Sequence, residues 1–122
     1  MVKSLVILCD QSPIGRNSVI EAIRFAAGLG AIEDKVKRNL VITGDAILVL
    51  KLDFKPEIME MQSFNDIKTM AEMSELIISV SKPDLEKFGL EKKDLVPYEF
   101  LNLVTEEEIG NLIINADASF KF

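Results

Sequence analysis

The chain has 122 residues, 48% of them hydrophobic, and is long enough for one domain that buries about two thirds of its unfolded surface. Fourteen basic and twenty acidic residues leave a net charge of −6, a poor match for direct contact with a nucleic-acid backbone. There is no His and a single Cys, which excludes His-dependent serine and cysteine hydrolases, internal disulfides and Cys-rich metal sites.

The first element is Leu5-Val6-Ile7-Leu8-Cys9, a continuous apolar run of the kind that forms a strand buried on both faces. Asp10-Gln11-Ser12-Pro13-Ile14-Gly15 breaks it with turn-forming residues. Val19, Ala22, Ile23, Ala26 and Ala27 then recur at helical spacing, and Gly28 and Gly30 supply a stop. Together these predict an opening βα unit whose loop lies at the carboxyl end of the strand, the edge where open parallel sheets place ligands. The following Glu33-Asp34-Lys35-Val36-Lys37-Arg38 reads as a solvated surface turn, with a basic docking patch as the alternative.

Leu40-Val41-Ile42-Thr43 predicts a second strand, closed by Gly44-Asp45. The apolar run Ala46 to Leu50 is expected to be a short buried helix, with a hairpin as the other reading, because periodicity does not separate the two. After Asp53-Phe54-Lys55-Pro56, the positions Ile58, Met61, Phe64, Ile67, Met70 and Ala71 keep helical spacing to about Met73. The four methionines of this stretch are expected to fill the core, or to line a subunit interface.

Leu76-Ile77-Ile78-Ser79-Val80 predicts a third, central strand. Ser81-Lys82-Pro83-Asp84 opens a short helix that Phe88-Gly89 closes. Phe100 to Val104 is a fourth strand, and Thr105 with Glu108 has the spacing of a capping box. Ile109, Leu112, Ile113 and Ala116 would form the inner face of the last helix, and Ala118 to Phe122 a fifth strand at or near an edge. Five strands with intervening helices predict an α/β, three-layer, flavodoxin-like sandwich around a mostly parallel sheet, as one domain over residues 1–122.

Chemistry is then expected at the carboxyl edge, at Cys9 to Gly15, Thr43 to Asp45, Ser81 to Asp84 and Val104-Thr105. Ser81, with Asp84 three residues on, reads first as an N-cap; a cysteine in that place would be an activated sulfur nucleophile, which a serine without a base is not. Cys9, ending a buried strand, reads first as an inert small hydrophobe, and second as a thiol activated by the N–H groups of the adjoining loop.

Four blocks resemble the DsrE/DsrF-like (TusBCD-like) sulfur-relay family, nearest its DsrF/TusC branch. Ser12-Pro13-Ile14-Gly15 is similar to the family's Pro-x-Gly loop, and Thr43-Gly44-Asp45-Ala46 to its Asp-Gly-Val segment with Gly and Asp exchanged. Val80 to Leu90 is similar to a segment ending Arg-Gly-Leu, and Asp117 to Phe122 to the family's Asp-plus-apolar-strand terminus. The resemblance implies a small α/β subunit that forms dimers, trimers or hexamers, and whose active members carry persulfide sulfur on a cysteine. That cysteine falls at Ser81 here, and the Arg of the block at Phe88.

The resemblance and the missing cysteine together lead to an accessory or non-catalytic sulfur-relay subunit, a homo-oligomer or the partner of a cysteine-bearing paralogue. The alternatives are a persulfide sulfurtransferase using Cys9, or a phosphate- or flavin-binding module using the loop around Ser12, Pro13 and Gly15 with Gly44 and Asp45. No resident cofactor or metal is expected. No apolar run approaches the roughly 20 residues of a membrane span, and no signal-peptide pattern opens the chain, so a cytoplasmic location is expected.

Overall fold

A computed structural model of the chain describes residues 3–12, 18–32, 36–52 and 64–122. The elements are β1 (Ser4–Cys9), α1 (Ser18–Ile32), β2 (Lys37–Ile42), a 3₁₀ helix (Gly44–Leu50), α2 (Phe64–Met73), β3 (Ile77–Ser81), α3 (Lys82–Lys87), a 3₁₀ turn (Lys92–Asp94), β4 (Leu101–Val104), α4 (Glu106–Asn115) and β5 (Ala118–Lys121). The five strands form one sheet in the order β4-β3-β2-β1-β5, with every pair parallel. The expected five-stranded, three-layer α/β architecture is therefore the one observed.

Strand β1 and the second half of β2 are almost continuously apolar, as strands inside a sheet with helices on both sides tend to be. On one face Ile7, Cys9, Leu40, Ile42, Ile78, Val80 and Leu101 join α1, the 3₁₀ helix, α2 and Leu85 of α3 in a single core. Helix α1 supplies Val19, Ile20, Ala22, Ile23 and Ala26, and its small residues let α2 approach closely. Helix α4 lies over the other face, buries no side chain completely and leaves an open cavity against the sheet.

Several expectations change. Helix α1 runs through Gly28 and Gly30 rather than stopping there: two glycines cost about 1 kcal/mol each, less than the apolar face of the helix gains by packing on the sheet. Residues 46–50 form a 3₁₀ helix, so the hairpin reading is dropped. Strand β3 is interior, but β2 holds the centre of the sheet. Met70 and Met73 do not fill the core, since they are exposed and Met73 is 82% accessible; the start of the methionine-rich stretch lies outside the described residues.

The largest correction concerns the charged connection. Lys37 and Arg38 belong to β2, and Arg38 is buried. Its Nη1 donates to the Ala26 carbonyl at 2.9 Å and its Nη2 to the Ser74 carbonyl, so one guanidinium joins α1 to the end of α2. Charge patterning could not reveal this, because a buried arginine with its fork satisfied looks in sequence like any solvated one. Among the described residues no helix is long and apolar enough to cross a membrane.

Candidate functional site

Parallel pairing places Cys9 beside Ile42 and Ile42 beside Val80, so the ends of β1, β2 and β3 lie side by side at the carboxyl edge. The chain leaves β2 through Thr43, whose N–H donates to the Cys9 carbonyl at 2.9 Å. Gly44 follows at φ +54°, a backbone conformation that side chains rarely adopt, and a Cβ there would meet the Asp10 carbonyl at 3.5 Å. This turn points the Gly44 N–H at Asp84 in α3.

Asp84 collects the site. Its Oδ2 accepts from Gly44 N–H at 2.9 Å, its own N–H donates to Ser81 Oγ at 3.4 Å, and Lys87 Nζ stands 3.6 Å from Oδ1. The Gly44 hydrogen bond, then the Ser81 hydroxyl and the Lys87 charge, hold its carboxyl below the usual carboxylate range against the opposing effect of burial. Ser81 is the N-cap of α3 as expected; it also ends β3 and is 2% exposed. Sequence showed the Ser81–Asp84 spacing, but not that Asp84 reaches across to Gly44.

Cys9 is wholly buried within the core on the α1 side. Burial, and secondly the Asp10 charge, push its thiol up to about 12, the opposite of the activation that nearby loop N–H groups would give. Asp10 is paired with Lys121 at 3.0 Å, and Gln11 accepts from the Ser18 hydroxyl at 3.1 Å. Of the other loop candidates, Ser12 is half-buried and Asp45 exposed at the start of the 3₁₀ helix, while Pro13 and Gly15 lie outside the described residues. The structure thus brings Cys9, Gly44, Ser81 and Asp84 to one edge, with the serine and the carboxylate committed to backbone groups. No cluster of Asp, Glu or Cys with metal-site geometry occurs among the described residues.

The fold is a flavodoxin-like, three-layer α/β architecture built on a five-stranded parallel sheet. The structure is similar to that of the ychN protein of E. coli, with a TM-score of 0.82 and 19% identity over 98% of this chain and 99% of that one. It is also similar to MTH1491 of Methanobacterium thermoautotrophicum, described as a protein of unknown function, with a TM-score of 0.65 and 18% identity over 91% of this chain and 88% of that one. At these identities the likeness establishes the fold. The sequence matches no family model and no curated protein.

Proposed function

We propose that the chain is a sulfur-relay protein of the DsrF/TusC type that acts in the cytoplasm as a non-catalytic, accessory subunit, in a homo-oligomer or beside a cysteine-bearing paralogue. The observation that carries this reading is the state of the two positions where sulfur could be held. Sulfur transfer requires a thiolate to attack the outer sulfur of a donor persulfide, forming a new S–S bond and releasing the donor thiolate. At the family position Ser81 offers a hydroxyl engaged with Asp84, and Cys9 offers a protonated thiol sealed in the core. Neither is a sulfur nucleophile at neutral pH.

An accessory role needs a surface for a partner. Met70 and Met73 expose adaptable thioethers on α2, a composition suited to protein contacts. The experiment is intact mass of the native protein after a persulfide donor, beside Cys9→Ala, with and without a cysteine-bearing paralogue. No added sulfur on this chain, together with a stable complex, is the expected result. Sulfur added in a Cys9-dependent manner would replace this reading with an active sulfurtransferase.

A further inference from the structure

The face of the sheet turned toward α4 is built differently from the core face. Asn39 in β2, Ser79 in β3 and Asn102 in β4 project from that face as a polar row across three strands, with Ser79 directly opposite Asn102 in the register. Along one side of helix α4, Glu108, Asn111 and Asn115 form an exposed stripe spaced i, i+3, i+7, with the Glu108 carboxylate accepting from the Thr105 N–H. A cavity of about 740 Å³ lies between the two walls and is lined by all six residues, together with Lys37 and apolar side chains such as Val6, Leu103 and Leu112. Its size falls within the roughly 300–1,000 Å³ of small-molecule sites.

The hydrogen bonding within this cavity is incomplete. Ser79 Oγ donates to Asn39 Oδ1 at 2.8 Å, and both residues are buried, Asn39 at 7% and Ser79 at 1% exposure. A primary amide offers one acceptor and two donors, and the Asn39 amide nitrogen meets no acceptor among the described residues. A buried amide without a protein partner costs about 1–3 kcal/mol unless water or a ligand meets it, and the open cavity gives either of them access to Asn39. Polar groups on both sides of an open slot, set among apolar side chains such as Val6, Leu103 and Leu112, make a recognition surface.

From this geometry we infer that the cavity between the sheet and α4 binds a small molecule that presents a hydrogen-bond donor and acceptor side by side. That pattern belongs to the edge of a nucleobase and to the neighbouring hydroxyls of a sugar, and asparagine amides match it in pairs. None of Cys9, Gly44, Ser81 and Asp84 lines the cavity, so the site is independent of any sulfur chemistry.

The test is a titration of the full ¹⁵N-labelled chain with adenosine and, separately, with glucose, following the side-chain amide resonances of Asn39 and Asn102. Saturable shifts with one of the two are expected, and which one saturates distinguishes base from sugar. The Asn111→Ala/Asn115→Ala double variant changes exposed helix positions, so the chain still folds, and it should weaken that binding at least about tenfold. Ile114→Ala, on the outward side of α4 at 80% exposure, should leave it unchanged. No saturable shift with either probe up to about 10 mM, or equal affinity in the double variant, would overturn the inference and leave the slot holding water only.

Discussion

The Asp84 carboxylate takes a hydrogen bond from the backbone N–H of Gly44, forty positions away, and so ties the end of β2 to the start of α3. A charge-assisted bond of this kind contributes about 1.5–3 kcal/mol. Asp84→Ala should therefore lower stability by about 2 kcal/mol in urea unfolding, and Asp84→Asn, which keeps an acceptor, by less. Gly44→Ala keeps the bond but strains the backbone, and about 1 kcal/mol is expected from φ alone, since the added Cβ makes only ordinary contact.

The same carboxylate makes stability depend on acid. Its folded pKa is depressed, so its contribution is complete above the unfolded value of about 3.9 and is lost as pH falls through the folded value. Asp117 acts in the same sense, its carboxyl held down by the N–H groups of Lys3 and Ser4. Denaturant midpoints measured downward from pH 6 should fall below about pH 4, and more shallowly in Asp84→Asn.

Cys9 gives the opposite sign at alkaline pH. Its folded pKa is raised to about 12, so stability is complete below the unfolded thiol value of about 8.5 and declines as pH rises beyond it. At pH 8 the native thiol therefore stays protonated. A disulfide reagent should label the thiol quickly only in denaturant; fast labelling of the native protein would contradict its burial.

Arg38 is expected to be among the most sensitive charged positions. Arg38→Lys keeps the charge but cannot reach Ala26 and Ser74 with one planar fork, and should cost about 1–3 kcal/mol. Arg38→Met leaves both carbonyls without this donor and should cost at least as much. Thermal unfolding of the two variants beside Asp84→Ala checks the ranking.

Phe25 of α1 holds the edge strand. Its ring lies 5.6 Å from Phe120 in an edge-to-face arrangement and 5.7 Å from Phe122. Two such pairs are worth about 1–3 kcal/mol, so Phe25→Ala should release β5 before the rest of the sheet. Hydrogen exchange should then quicken at the Phe122 amide, which donates to the Leu8 carbonyl, and not in β2.

The five strands, the Ser81 cap and the Thr105–Glu108 capping box were legible in the sequence, because each is written in a run of neighbouring residues. A parallel strand covered on both faces must be apolar almost throughout, and a cap must place its acceptor three residues before the N–H it receives. The absence of His likewise excluded His-dependent serine and cysteine hydrolases from composition alone. What only the tertiary structure decided is lateral. Strand order and register put Gly44 against Asp84 and Asn39 against Ser79, both pairs forty residues apart, sank Arg38 between α1 and α2, and sealed Cys9 under the core. No single run of residues encodes these neighbours: they follow from which strands pair and which helix covers each face, and burial then fixes the charge state and reach of the side chains so enclosed.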